Sequence, residues 1–219
     1  MNNELVGRRV LWGVGTTRTM RPHWALHELS LSYETEAIGP RTGETQTAKF
    51  SALNPRQKIP VLQDGDFTIA ESPAIIAYLA EAYSSGNVRL LPSGKRERAQ
   101  CLEWSFFIAM ELDATSLYVV RRHGMLKHIY GDAPAAVENA KNYFFRQLGH
   151  VDQALRSNGR FLMGDEFTTV DILLTTCLTW AITVDAPVYD SCRAYLERVM
   201  TRQAYKTASE ANARRQSMT

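Results

Sequence analysis

LNPRQKIPVLQDGDFTIAESPAIIAYLAEAY, residues 53–83, decides how this chain is read. Pro60 sits inside an apolar run, Ile59-Pro60-Val61-Leu62. A central strand would need the N–H that proline lacks, so an edge position or a cis bond is expected. Asp64-Gly65 is a hairpin signal between Val61-Leu62 and the strand over 67–69. Ser72-Pro73 then opens a helix, with Ser as N-cap and Pro at the first position, where a missing donor costs nothing. Ile75, Ile76, Leu79 and Tyr83 follow at helical spacing. The mouth of such a helix offers free N–H groups and a positive dipole end, which suits an anion. Glu71-Ser72 alone would read as an acidic first turn with a cap.

Working outward, residues 9–14 read as a first strand, Gly13-Val14-Gly15 with Thr16-Thr17 as a turn, and about Met20 to Ser30 as a helix carrying Trp24, Leu26 and Leu29. Residues 31–38 read as a second strand, and the polar stretch 39–52 holds at most a weak helix. The order βαβ then ββα predicts a four-stranded mixed sheet with helices on both faces. SSGNVRLLPSGK, residues 84–95, is a linker by its Gly, Ser and Pro content. Beyond it the pattern is helical throughout: 94–122 with Leu102, Phe106, Ala109 and Met110 on one face, then 135–157, then an almost wholly apolar 167–181 with Trp180 as core, then two shorter helices. The expected fold is α/β plus all-α, with domains at 1–84 and 95–219 joined by a linker at 85–94. Thr168 and Asp171 have the spacing of a capping box, which explains that carboxylate without a catalytic role.

Composition narrows the function classes. A net charge of +2 gives no argument for nucleic acid, and Arg214-Arg215 reads as a solvated helix end. No apolar run is long enough to span a membrane, and the first residues lack the pattern of a secretory signal. Three widely spaced cysteines and five scattered histidines suggest neither a disulfide framework nor a metal site, so a cytoplasmic, metal-free protein is expected. The first cysteine, Cys101, lies beyond the whole N-terminal unit, so that unit has no low-pKa thiol of its own.

The stretch 53–83 resembles the glutathione-binding half of the soluble glutathione transferases, on Asn54, Pro55, Lys58, Ile59, Pro60, Leu62, Glu71, Ser72, Ala74, Ile75, Tyr78 and Leu79. The resemblance is strong before residue 85 and weaker after it. It implies a thioredoxin-like first domain, an all-helical second domain that contributes an electrophile pocket, and a homodimer. It implies that glutathione, the co-substrate, is held by Gln46, Lys58, Ile59, Pro60, Glu71 and Ser72. Ser72 would meet the γ-glutamyl carboxylate, Glu71 its ammonium group, and Ile59 would pair with the cysteinyl backbone as an added strand. The reactive sulfur arrives with this ligand.

In the family, a Tyr, Ser or occasionally Cys just after the first strand faces that sulfur. Ala25-Leu26-His27-Glu28 resembles the Ala-Leu-His/Arg-Glu of tau and phi proteins and places Thr16 at the Ser position. A theta-like spacing places Thr17 there, Arg18 could favour the thiolate by charge, and Thr19 is a further alternative. Threonines at such a turn more often cap a helix. The electrophile pocket is expected near Phe107, Met110, Tyr118 and Arg122, although such an aromatic and Met stripe is more often core. The expected activity is addition of glutathione to apolar electrophiles, with peroxide reduction or isomerisation as variants. The alternatives are a glutathione carrier with little turnover, which the Thr in place of Ser motivates, and a transferase-like interaction module, which the intact Glu71-Ser72 argues against.

Overall fold

The computed structural model describes residues 7–85 and 88–213. The chain divides into two compact units: residues up to Arg89 together with those from Arg202 onward, and Leu90–Thr201.

The first unit carries β1 (Arg9–Trp12), α1 (Thr17–Glu28), β2 (Glu34–Glu36), a 3₁₀ turn at Glu44–Gln46, α2 (Ala48–Leu53), β3 (Val61–Asp64), β4 (Phe67–Ala70) and α3 (Ser72–Tyr83). The sheet order is β2-β1-β3-β4, with β1 parallel to β2 and antiparallel to β3, and β3 antiparallel to β4. This is the four-stranded mixed sheet that the element order predicts. Strand alternation sends Val10, Trp12 and Val61 to one face, where they pack with Phe50 of α2. Leu11 and Leu62, directly paired, are fully buried on the other face.

Local chemistry moves several boundaries. The α1 helix starts at Thr17 rather than Met20, because Thr16 and Thr19 cap it; Pro22 then sits inside the helix and removes one intrahelical bond. The second strand shrinks to Glu34–Glu36, since Ser30 takes a φ of 54° and the Leu31 N–H still closes onto Leu26 O. The helix α3 takes Glu71, not Ser72, as its N-cap, which makes Ser72 its first residue.

The second unit carries α4 (Lys95–Phe107), α5 (Tyr118–Val120), α6 (Lys127–Tyr130), α7 (Pro134–Ser157), α8 (Thr169–Thr183) and α9 (Asp190–Val199). The single helix expected over 94–122 is not regular: wider π-helical turns occupy Ile108–Leu117 and Arg121–Met125. Ser116 Oγ donates to Glu111 O, five residues back, within the first of them. Of the residues expected on one face, Leu102, Phe106 and Met110 are 52%, 66% and 57% exposed, while Cys101, Ile108, Leu112 and Leu117 are buried. The α8 helix is buried almost all round, as its composition predicts. Asp171 caps it from inside, accepting from Thr168 N at 2.8 Å, Leu162 N at 3.0 Å and Tyr195 Oη at 2.8 Å. Its carboxyl is fully buried and its pKa is raised by that burial.

The last helix, α10 (Gln203–Asn212), groups with the sheet, whereas the sequence reading assigned all of 95–219 to the helical domain. Arg202 makes a two-pronged ion pair with Glu28 of α1, both contacts at 2.6 Å, and Tyr205 stands edge-on to Trp24 with ring centroids 4.9 Å apart.

Candidate functional site

After β1 the chain turns through Gly13 and Gly15, at φ 113° and 79°. A Cβ on Gly13 would stand 2.7 Å from Ile59 Cβ and 3.0 Å from Thr19 Cγ2. Only glycine lets this loop pass so close to the Ile59 segment. Thr16 follows in extended conformation as the N-cap of α1. Its Oγ1 accepts from Thr19 N at 3.0 Å, and its own N–H donates to Thr19 Oγ1 at 3.0 Å, a reciprocal box built from two threonines. Thr17 and Arg18 occupy the first two helical positions, half-buried, and Thr19 is fully buried. Asn212 of α10 closes the loop from outside. Its carbonyl accepts from Gly15 N at 2.8 Å, and its Nδ2 donates to Thr16 O at 3.1 Å.

The Ile59–Pro60 bond is cis. Among the described residues nothing hydrogen-bonds to the Ile59 N–H or C=O, so this backbone is open to an added strand. Asn54 shapes the approach: its Nδ2 donates to Lys58 O at 2.8 Å, and its Oδ1 accepts from Arg56 N at 3.2 Å. The Lys58 and Gln46 side chains are both exposed. Glu71 adopts φ 72°, ψ 114°, a region that costs a residue with a side chain about 1–3 kcal/mol. Strain of this kind persists where the surroundings over-determine the backbone. The Glu71 carboxylate faces outward, 3.2 Å from Arg56 Nη1. Ser72 is buried at the first turn of α3, and its Oγ accepts from Arg21 Nη1 at 3.2 Å.

Beneath the loop, His23 is buried between Gly13 O, 3.2 Å from its Nε2, and Tyr33 Oη, 2.7 Å from its Nδ1. A carbonyl can only accept, so Nε2 carries the proton and Nδ1 accepts from the tyrosine. The imidazole is thereby neutral, its pKa lowered to about 4 chiefly by burial. Cys101, Cys177 and Cys192 are buried and outside any disulfide, and burial raises the pKa of Cys101 and Cys192, which disfavours their thiolates. Among the described residues no group of acidic, His or Cys side chains could hold a metal.

The four residues expected around the electrophile lie in the second unit. Phe107 stands edge-on to Trp104 at 5.6 Å and to His150 at 6.3 Å, and lines a cavity of about 650 Å³ with Glu103, Gln147 and Gln153. Met110 is exposed. Arg122 stacks over Tyr130 at 4.5 Å and lies 6.0 Å from the Tyr118 ring. The sequence reading missed Arg21, His23 and Asn212. Nothing local marks them: Arg21 and His23 read as ordinary residues of an amphipathic helix, and Asn212 as the end of a terminal one.

Profiles of the glutathione S-transferase N-terminal domain and C-terminal domain match residues 9–81 and 134–198. Glutathione S-transferase 3 of Zea mays is 30% identical over 190 residues, covering 83% of each chain. The chain belongs to the glutathione S-transferase family. Glutathione S-transferase F7 of Arabidopsis thaliana is 30% identical over 170 residues, covering 77% of this chain and 80% of that one. Among solved structures, a glutathione transferase from Methylococcus capsulatus superposes with a TM-score of 0.78 at 28% identity, over 93% of this chain and 98% of that one. The family, the thioredoxin-like sheet with its helical second part, and the class of enzyme expected from residues 53–83 are those of this transferase.

Proposed function

We propose that this glutathione transferase holds glutathione along Ile59, Glu71 and Ser72, places its sulfur at Thr16, and adds the thiolate to an apolar electrophile. The observation that carries this reading is the convergence on α1: Gly13 brings its N-terminal loop against Ile59, and Arg21 joins it to Ser72. The open backbone of Ile59 matches an extended peptide, Ser72 a carboxylate, and Glu71 an ammonium group. The thiol loses its proton to solvent base. The Thr16 hydroxyl then donates to the sulfur anion, aided by the dipole of α1. The S–C bond forms from a sulfur lone pair, and the electrophile's leaving group departs with its electrons, or the anion formed takes a proton from water. Gln46 and Lys58, both exposed, flank this path.

We further propose a homodimer. Leu102, Phe106 and Met110, spaced four apart and exposed, form an apolar stripe suited to a second copy. A reducing cytosol suits three buried thiols outside any disulfide. The test is a panel of electrophiles and peroxides run with glutathione, beside calorimetric titration of glutathione alone. Glutathione-dependent turnover supports the reading. Binding without rate enhancement supports a carrier, a second reading favoured by one observation: the Thr16 hydroxyl is already engaged in a helix cap.

A further inference from the structure

Asn212 makes three contacts with the loop that carries Thr16, and their arithmetic is informative. The Thr19 hydroxyl has one proton and three oxygens within reach: Asn212 Oδ1 at 2.7 Å, Thr16 O at 2.8 Å and Thr16 Oγ1 at 3.0 Å. Thr16 O already accepts from Met20 N and from Asn212 Nδ2. That second bond fixes the amide's orientation, since the flipped amide would set Oδ1 against a carbonyl. Asn212 Oδ1 can only accept and lies nearest, so the Thr19 proton goes there. Thr19 Oγ1 then accepts from Thr16 N, and Thr16 Oγ1 accepts from Thr19 N. One proton is left over, on Thr16 Oγ1. It rests on Thr19 Oγ1 and is released to an incoming anion.

We infer that Asn212 is a positioning residue of the sulfur site, which takes up the Thr19 hydroxyl proton and holds the Gly15–Thr16 backbone so that Thr16 keeps its own proton for the thiolate. The inference rests on the reading of Thr16 as the sulfur's donor. The place of Asn212 is preset along α10 by the Arg202–Glu28 pair and the Tyr205–Trp24 contact. Without the Asn212 side chain the Thr19 hydroxyl turns to Thr16 and Thr16 O loses its outer donor, while the residue 212 carbonyl still holds Gly15 N.

The test uses the full chain with glutathione bound, and the thiolate's ultraviolet absorbance titrated against pH. Thr16→Val raises the bound thiol's pKa by about one unit. Asn212→Ala raises it by about half a unit or more, and adds nothing in the Thr16→Val background, because it acts through Thr16. Thr19→Val removes the acceptor of the Thr16 N–H and the anchor of the Asn212 amide, loosening the same loop and raising the thiol's pKa, while Thr19→Ser, which keeps the hydroxyl, titrates as the parent. Affinity for S-methylglutathione, which has no thiol to ionise, stays within about twofold in Asn212→Ala, unlike the loss a general loosening would produce. Asn212→Ala titrating as the parent while Thr16→Val is shifted would overturn the role of Asn212 alone, as would an equal shift in both backgrounds. An unshifted Thr16→Val overturns the Thr16 reading and this one with it.

Discussion

Arg21 Nη1 and Ser72 Oγ meet at 3.2 Å with both residues buried, joining the body of α1 to the first residue of α3. A guanidinium can only donate, so the serine accepts and keeps its own proton for a ligand. The pair sets a positive charge beside a helix N-terminus, where an anion is already favoured. The sequence reading gave Ser72 a carboxylate and saw no cation near it.

Ser72→Ala removes the outward donor. Glutathione affinity should fall by about 1.5–3 kcal/mol, the range for a hydrogen bond to a charged group. Calorimetric titration reads this directly, and an unchanged Kd would remove Ser72 from the binding site.

Glu71→Gly separates strain from function. Glycine adopts φ 72° without penalty, so the variant should unfold at a higher temperature, by up to about 1–3 kcal/mol of added stability less the entropy cost of glycine. Glutathione binding should weaken at the same time, as the carboxylate is gone. A variant that is no more stable, or that binds as tightly, would contradict the assignment of Glu71 as a strained ligand.

His23 gives the fold a pH dependence of predictable sign. Its folded pKa, about 4, lies below the ordinary 6.5. Above that ordinary value the group is neutral in both states and has no effect. As pH falls below it, the unfolded chain gains a proton that the folded chain does not, so stability is lost toward acid. Between about pH 7.5 and about pH 5 the loss from His23 is about 2 kcal/mol. His27, whose Nε2 also meets Tyr33 Oη, has its pKa lowered by burial and adds in the same direction. Denaturant unfolding across this range should show the slope, and His23→Leu should flatten it while lowering stability overall.

Phe106→Glu tests the apolar stripe. The parent chain should sediment at twice its 24.7 kDa mass and the variant as a single chain. A parent that sediments as one chain at micromolar concentration would leave Leu102, Phe106 and Met110 without the proposed partner.

Much of this was legible in residues 53–83. The hairpin at Asp64-Gly65 and the helix after Glu71 follow from local turn and cap chemistry, and the ladder bond proline cannot make left an edge position or a cis bond at Pro60, of which the structure has the cis bond. The start of α1 was placed late, at Met20, because Thr16-Thr17 was read as part of a turn, whereas Thr16 and Thr19 cap the helix there. The exposure of Leu102, Phe106 and Met110 was not legible, because helical spacing says that residues share a face, not which way that face points. Arg21, His23 and Asn212 were missed for a common reason. Each meets a partner outside its own helix, Gly13 and Tyr33 for His23, Ser72 for Arg21, and Asn212 furthest of all, at 196 residues from Thr16.

That separation has a consequence for how the molecule is made. A ribosome delivers β1 and α1 well before α10, and the intervening unit, Leu90–Thr201, is one continuous stretch. Until α10 emerges, the face of Trp24 that meets Tyr205 is bare and Glu28 lacks its arginine. The sheet unit is therefore incomplete until α10 has been made. The loop that carries Thr16 is secured only once α10 has joined it. A stop codon just before α10 would spare every residue of the helical unit and still strip that loop of its outer support.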